Sequence, residues 1–187
     1  MFNSNAPAQG VLLISEPFML DPNFERSVVV LCEHNEEGTL GLVLNQRSSL
    51  VLSDVFDGVK GDEFPVYIGG PVQSNALFFL HRAMDKIGAG TPIAEDLYWG
   101  GDFERLMMLI DEHLITPDEV KFFLGYSGWS TGQLDEEIRQ NSWAVHDNYD
   151  TTLAFVTDGE DLWKQALISL GPKYAHVAQF PKSPNLN

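Results

Sequence analysis

Short apolar runs bounded by turn residues dominate the first half of the chain. Their Val, Ile, Leu and Phe content is typical of β-strands. The predicted strands are residues 11–15, 27–33, 40–45, 66–68 and 76–81. The polar segment 34–39 contains Gly38 and predicts a hairpin turn between the second and third strands. Gly41, inside the third run, predicts a bulge or a close approach of another backbone.

The second half of the chain mixes helical spacing with β-like runs. About three α-helices are predicted, over residues 102–113, 130–139 and 161–170, and strands over residues 120–124, 143–145 and 152–156. Asp102, Ser130 or Thr131, and Asp158 are the predicted N-caps. Residues 116–119 have capping-box chemistry and predict one helical turn before a strand. Because strands come first and no regular βαβ alternation follows, the pattern predicts an α+β fold.

Length and cysteine content place the chain in a broad class. A chain of 187 residues fits a single domain, 1–187. Its ordered core is expected over about 10–180, with polar ends, 1–9 and 181–187, that fray. A single cysteine, Cys32, excludes an internal disulfide framework. The sequence contains no run of about 18 apolar residues, which a membrane-spanning helix would need. A cytoplasmic protein is therefore expected.

Charge narrows the range of partners. The chain has 27 acidic residues against 11 Lys and Arg, a net charge of −16. Between residues 95 and 161 the only basic residues are Arg105, Lys121 and Arg139. Nucleic-acid binding depends on neutralising phosphates with Lys and Arg. The composition therefore argues against direct contact with nucleic acid or with an anionic membrane surface.

Two possible nucleophiles, Ser127 and Cys32, need separate consideration. Residues 125–129 resemble the serine-hydrolase elbow, but Trp129 stands where that motif needs a small residue. A structural or ligand-binding turn is the better interpretation of this segment. Cys32 alternates with Val28 and Val30, which predicts a buried, unreactive thiol.

Metal and cofactor motifs are not found in the sequence. The five histidines lack ligand spacing, and one cysteine makes a structural zinc site a poor fit. No Gly-Lys-Ser or Gly-Lys-Thr phosphate loop occurs, and Ile93 replaces the third glycine of the dinucleotide pattern that begins at Gly88. The sequence therefore predicts no metal and no cofactor.

Trp129 and Gln133 are the most promising polar pair, at a predicted strand-to-helix junction. An indole N–H and a side-chain amide can bind a small polar ligand or the backbone of a partner. The alternative is that both side chains lock the helix onto the sheet. Together with nearby turn residues, the candidate ligand-binding residues are Asn45, Gly69, Gly70, Pro71, Tyr126, Gly128, Trp129, Gly132 and Gln133.

These landmarks, in their order along the chain, resemble the YqgE/AlgH family of bacterial proteins. The matching stretches are residues 10–17 (GVLLISEP), 24–34 (FERSVVVLCEH), 38–45 (GTLGLVLN), 68–72 (IGGPV), 123–137 (FLGYSGWSTGQLDEE), 141–143 and 162–163. One departure is Gln46-Arg47, where the family usually has Arg-Pro after the asparagine. The resemblance implies a compact α+β domain with bent, coiled mixed β-sheets and no known cofactor. It implies no activity, although some members carry a transcriptional-regulator label.

The leading functional hypothesis is a non-enzymatic binding or regulatory module. It would act through an unknown small molecule or protein rather than by DNA contact. The alternative is an enzyme of unrecognised class that uses Ser127, Cys32 or a carboxylate. Direct DNA binding ranks third because of the charge. The sequence makes no prediction of oligomeric state.

Overall fold

A computed structural model describes residues 5–157 and 159–183. Within these residues there are ten strands. They are β1 (Leu12–Ser15), β2 (Val28–Asn35), β3 (Gly38–Val43), β4 (Arg47–Val51), β5 (Pro65–Ile68), β6 (Val72–His81), β7 (Thr91–Ala94), β8 (Leu97–Trp99), β9 (Val120–Ser130) and β10 (Trp143–His146). Asp158, the predicted cap of the last helix, lies outside the described residues.

The same residues form five α-helices, which corrects the prediction of about three. The helices are α1 (Leu52–Val55), α2 (Met84–Ile87), α3 (Phe103–Asp111), α4 (Gln133–Arg139) and α5 (Gly159–Leu170); the segments Thr151–Phe155, Pro172–Tyr174 and Val177–Gln179 are 3-10 helices. Helices α3, α4 and α5 are the three that apolar spacing predicted. The one-turn helices α1 and α2 were missed because four residues are too few to show a helical period.

One large, mainly antiparallel sheet organises the domain. Its strand order is β10-β1-β2-β3-β9-β6-β8-β7, with β4 and β5 branching from it. Strand β9 is central: β6 pairs antiparallel along its first part, β5 pairs parallel with it over three residues, and β3 pairs with its last four residues. The sheet is therefore mixed, and β9 connects all of its parts.

The predicted hairpin between β2 and β3 is confirmed, and so is the irregularity near Gly41. Leu31 pairs with Gly41 and Glu33 pairs with Leu40, so Cys32 is the extra residue of a bulge. A Cβ built at Gly41 would lie 2.7 Å from Val29 Cγ1. This close packing explains why glycine is needed at that position.

Three apolar clusters hold the helices against the sheet. Helix α5 buries Trp163 and Leu167 in the first cluster, and α3 buries Leu106 and Ile110 in the second. Helix α4 contributes Leu134 to the third, which also contains both Trp129 and Trp143. Trp129 of β9 therefore lies at the boundary between the sheet and α4.

Two local predictions are wrong, and hydrogen bonding explains each. Residues 152–156 were predicted as a strand, but Thr151–Phe155 is a 3-10 helix because the Asp150 carboxylate caps it by accepting from the Thr152 N–H at 3.0 Å. Neither Ser130 nor Thr131 caps α4. The N-cap is Gly132 with φ +76°, and the Gln133 side chain instead accepts from the Ser130 N–H at 3.0 Å.

Other predictions near these segments had mixed outcomes. Asp102 does cap α3, because its carboxylate accepts from the Arg105 N–H. Strand β9 follows residues 116–119 as expected, but these residues form a hydrogen-bonded turn instead of the predicted turn of helix. The segment 125–129 is part of β9 rather than a turn, however, since the strand continues to Ser130.

Candidate functional site

Glu137 of α4 is the acceptor that joins the helix to the sheet. Its Oε2 accepts from the indole N–H of Trp129 at 2.9 Å and from that of Trp143 at 2.8 Å. Its Oε1 accepts from the Gln133 amide at 3.1 Å. Trp129 is only 5% exposed, whereas Gln133 is exposed. The indole N–H of Trp129 thus contributes to a helix-to-sheet lock, while Gln133 remains accessible at its edge.

A groove of about 420 Å³ lies beside this lock. We call it the hairpin groove, and its lining residues are Glu33, Asn35, Glu37, Gly38, Thr39, Leu40, Val72, Tyr126, Gly128 and Trp129. Exposed Glu33 and Glu37 supply carboxylates, and half-buried Leu40 and Tyr126 supply apolar surface. No Lys, Arg or His is among the described residues that line it. The groove therefore combines negative charge with an aromatic surface.

Gly128 leaves space in this groove. A Cβ built there would only touch the Tyr126 ring at 3.5 Å and Val72 Cγ2 at 3.9 Å, so the side-chain hydrogen of glycine keeps this part of the surface open. The Tyr126 ring is supported from behind by an edge contact with Phe78 at 5.9 Å. The candidate residues Tyr126, Gly128 and Trp129 are thus brought together on one surface.

A second recess of about 430 Å³ involves the same hairpin turn. Its lining residues are His34, Asn35, Glu36, Gly38, Thr39, Ser130, Thr131, Gly132, Leu134 and Asp135. The Thr131 hydroxyl donates to the Glu36 carbonyl at 2.9 Å, which ties the end of β9 to the hairpin. Gly132 therefore lies next to the hairpin groove but faces a different recess.

The glycines before β6 serve a close contact between backbones. A Cβ on Gly70 would lie 2.2 Å from the carbonyl carbon of Tyr126, and one on Gly69 would lie 2.3 Å from the Gly125 oxygen. The Gly69 N–H donates to the Leu124 carbonyl at 2.8 Å. Only Pro71 of this turn is exposed. Because Gly69 and Gly70 have no side chains, the backbone of β9 can pack directly against this turn.

Asn45 lies at a different cavity, and its side chain is fully engaged. Its Oδ1 accepts from the Val28 N–H at 2.9 Å, and its Nδ2 donates to the carbonyls of Arg26 and Gly159, both at 2.8 Å. The cavity, of about 280 Å³, is here called the Arg26 pocket; its lining residues are Pro22, Asn23, Glu25, Arg26, Ser27, Val43, Asn45, Gln46, Gly159, Glu160 and Lys182. The candidate residues thus do not converge on one pocket.

Arg26 was not singled out from the sequence, although it dominates this pocket. Its side chain is 7% exposed and its guanidinium lies 4.6 Å from the centre of the Trp163 ring. Nη1 donates to Glu160 at 3.4 Å and Nη2 to the Phe180 carbonyl at 2.5 Å. An arginine only two positions before three consecutive valines was the available signal, because charged residues are rarely buried unless paired.

Neither proposed nucleophile has the environment that catalysis needs. Ser127 is fully buried and its hydroxyl donates to the Gly69 carbonyl at 3.0 Å. Cys32 is also fully buried, and burial, reinforced by the nearby Glu33 charge, raises the pKa of its thiol well above the ordinary value. A nucleophilic cysteine needs a lowered pKa. Both residues therefore belong to the packing of the sheet.

A buried lysine was also missed. Lys121 Nζ donates to the carbonyls of Ala154 at 3.0 Å and Val156 at 3.2 Å and lies 4.1 Å from the centre of the Tyr67 ring. Desolvation by burial lowers the pKa of Lys121 to about 7. No ion pair to Lys121 is found within residues 5–157 and 159–183. The ammonium group thus holds the segment before α5 through carbonyls alone.

Two other kinds of site are absent from the described part of the chain. No group of three or more His, Cys, Asp or Glu side chains there is arranged to hold a metal ion. No helix there has both the length and the apolar character needed to cross a membrane.

Comparison with known proteins gives the family. A family model described as AlgH-like matches residues 12–175. A UPF0301 protein of Parabacteroides distasonis is 45% identical over 99% of this chain and 94% of its own length, and one of Cytophaga hutchinsonii is 42% identical over 96% and 98%.

Solved structures agree with this result. The solution structure of the AlgH protein from Pseudomonas aeruginosa superimposes with a TM-score of 0.72 at 28% identity, covering 96% of this chain and 98% of that one. The crystal structure of DIP2367 from Corynebacterium diphtheriae shares the fold, with a TM-score of 0.76 at 24% identity over 95% of both chains. The fold, the family match and the sequence identity together make this chain a member of the YqgE/AlgH family.

Proposed function

We propose that the chain is a non-catalytic binding module of the cytoplasm whose hairpin groove takes a cationic side chain from a partner protein. The observation that carries the proposal is the half-buried ring of Tyr126 in a groove that also contains Glu33 and Glu37. A cation gains from an aromatic face and from a carboxylate at once. The single, buried, unpaired Cys32 supports the cytoplasmic placement.

Overall charge supports a basic partner. The net charge of −16 attracts positively charged proteins over long range and repels nucleic acid. A regulatory role would then be indirect, through the protein that is bound. Since charge complementarity acts mainly on specificity and association rate, binding should weaken as salt concentration rises.

An open groove favours an extended segment over an enclosed small molecule. The hairpin groove is a shallow surface of about 420 Å³ rather than a closed cavity. Ligand pockets for small molecules usually bury most of the ligand surface. An arginine or lysine that projects from a partner's chain needs only its head group and stem to be covered.

The experiment is an NMR titration with N-acetyl-arginine amide as the probe. Its neutral, similarly shaped analogue, N-acetyl-citrulline amide, serves as the matched control. We expect saturable shifts of the amide signals of Gly38, Tyr126 and Gly128 with the arginine probe only, because the groove selects charge. Equal shifts with both probes, or shifts elsewhere only, would contradict the proposal.

Paired charge variants test the role of the carboxylates. Glu33→Gln with Glu37→Gln removes two charges from the groove, and Glu104→Gln with Glu112→Gln removes two exposed charges on and just after α3. We expect the groove variant to weaken binding about tenfold and the control by less than about twofold, since each rim ion pair contributes roughly 0.2–1 kcal/mol. Equal weakening in both variants would mean that the probe responds to the net charge of the protein and not to the carboxylates of the groove.

A further inference from the structure

We propose that the Arg26 pocket is a second binding site, which takes the carboxylate or phosphate group of a small metabolite. The pocket has a volume of about 280 Å³ and is lined by side chains from opposite ends of the chain. Its chemistry is opposite to that of the hairpin groove, and the proposal is independent of that groove.

Arg26 has donor capacity that the fold leaves unused. A guanidinium group carries five N–H donors in a planar fork that fits carboxylate and phosphate. Here Nη1 reaches Glu160 and Nη2 reaches the Phe180 carbonyl. Nε is buried and has no hydrogen-bond partner among the described residues. Because a buried donor without a partner is unfavourable, a small shift that gives Nε an oxyanion partner would be favourable.

The guanidinium group is held in place before any ligand arrives. Its face packs on the Trp163 ring at 4.6 Å, and the Arg26 carbonyl accepts from Asn45 Nδ2 at 2.8 Å. With the side chain 7% exposed, little freedom is left to lose. A donor that is already ordered binds at a lower entropic cost than a mobile surface lysine.

Positive charge is concentrated at this pocket although the chain is acidic. Three of the chain's 11 basic residues form ion pairs with Glu160: Arg26 at 3.4 Å, Lys164 at 3.3 Å and Lys182 at 3.1 Å. Gly159 and Glu160, the first residues of the 12-residue helix α5, also line the pocket, so the positive end of the helix lies there. The two carboxylates at the pocket, Glu160 and Glu25, carry less charge than these three cations together.

Glu160 is therefore a resident carboxylate that a ligand can displace. Its side chain is 40% exposed, so it can turn toward solvent while keeping Lys164 as a partner. The hydrogen bond with Lys182, followed by that with Lys164, holds the pKa of Glu160 below its ordinary value. An incoming oxyanion would take the place of this carboxylate on Arg26. Glu25, the other acidic lining residue, is exposed and selects against ligands of high negative charge.

The experiment follows the arginine Nε–Hε signals by NMR during titration with inorganic phosphate and, separately, with acetate. Sodium chloride keeps the ionic strength constant, because screened surface contacts respond to salt alone. We expect a saturable shift of the Arg26 Nε–Hε signal, whereas that of the exposed Arg139 stays fixed. The stronger of the two titrations tells whether the site prefers a tetrahedral or a planar oxyanion. The proposal is overturned if phosphate and acetate shift the Arg26 Nε–Hε signal no more than chloride does.

Two variants separate a true site from general attraction. Glu160→Gln removes the competing carboxylate and should tighten binding about two- to fivefold, the equivalent of about 0.4–1 kcal/mol. Lys182→Gln should weaken binding, whereas Lys173→Gln, an exposed change elsewhere, should not. All three variants alter exposed or half-exposed side chains and should leave the fold intact. Equal effects of the two lysine changes, or no gain with Glu160→Gln, would contradict the proposal.

Discussion

The hairpin groove and the Arg26 pocket differ in how their residues are attached to the fold. The groove is built mainly from β2, β3 and β9, and the side chains that give it charge, Glu33 and Glu37, are exposed. The Arg26 pocket joins segments as distant as Arg26, Glu160 and Lys182, and its central side chain is buried. The charged side chains of the groove are exposed on the surface of the sheet, whereas the central side chain of the pocket is buried and connects distant segments of the chain.

This difference has a consequence for evolution and engineering. Substitutions of exposed side chains usually change the free energy of unfolding by less than about 0.5 kcal/mol. The charges of the groove can therefore vary with little effect on folding. In the Arg26 pocket the buried Arg26 and the hydrogen-bonded Asn45 serve both folding and the proposed binding, so a change of either residue affects both.

The largest expected effect is on Asn45, in comparison with Gln133. Asn45→Ala removes three hydrogen bonds that join Asn45 to β2, to Arg26 and to the start of α5. We expect a loss of about 2–4 kcal/mol in the free energy of unfolding, measured by urea denaturation. Gln133→Ala, an exposed amide beside the groove, should cost about 0.5 kcal/mol or less. Similar losses for both would remove the contrast between the two regions.

A smaller effect is expected at Glu137, which lies beneath the groove. Glu137→Ala leaves the indole N–H groups of Trp129 and Trp143 without their acceptor. We expect a loss of about 1–3 kcal/mol and a shifted tryptophan fluorescence spectrum. Glu137→Gln keeps an acceptor oxygen and should lose less. If Glu137→Ala were as stable as the native chain, the lock between α4 and the sheet would not contribute to folding.

The sequence predicted the groove region better than the pocket because the groove depends on local pattern. The hairpin, the bulge at Gly41 and the grouping of Tyr126 with Gly128 follow from residues close together in the chain. Glycine spacing and strand alternation report such short-range features. Strand β9 itself was cut short at Leu124, since its glycines resemble turn residues until β3 and β6 are seen to pair with them.

The pocket could not be predicted in the same way. Arg26 pairs with Glu160 and Phe180, which are 134 and 154 residues away in the chain. Lys121 is satisfied by carbonyls of a segment predicted as a strand. A local sequence pattern does not indicate a contact between residues that are distant in the chain. Every residue has a backbone carbonyl, so the sequence also does not indicate which carbonyl will accept a hydrogen bond. Asn45 ends a stretch that resembles the family, and its role emerged only from its three contacts.

The last expected effect concerns Lys121, which links the sheet to the segment just before α5. Its pKa is lowered to about 7 in the folded protein, against an ordinary value near 10.4 in the unfolded chain. Above about pH 7 the unfolded chain binds this proton and the folded protein releases it, so the free energy of unfolding rises with pH. Below about pH 7 both states hold the proton, and the full penalty of burying the charge applies.

The useful window lies between about pH 7 and pH 8.5, where other groups interfere least. Burial lowers the pKa of His81 and His146, so their contribution appears as pH falls below the ordinary histidine value. Burial raises the pKa of Cys32, Tyr67 and Tyr149, so these groups reduce stability at higher pH, as their unfolded forms ionise.

Across this window Lys121 should add about 1.5 kcal/mol to the free energy of unfolding, from the proton-linkage relation. Urea denaturation at several pH values measures it, and Lys121→Met should abolish the rise because it fills the same space without a titratable group. The variant also removes the hydrogen bonds to Ala154 and Val156, so its stability at a single pH does not test the prediction. The change of its free energy of unfolding with pH does. If the free energy of unfolding of Lys121→Met rose with pH as steeply as that of the native chain, Lys121 would stay charged in the folded protein. The segment before α5 would then be held by a permanent cation.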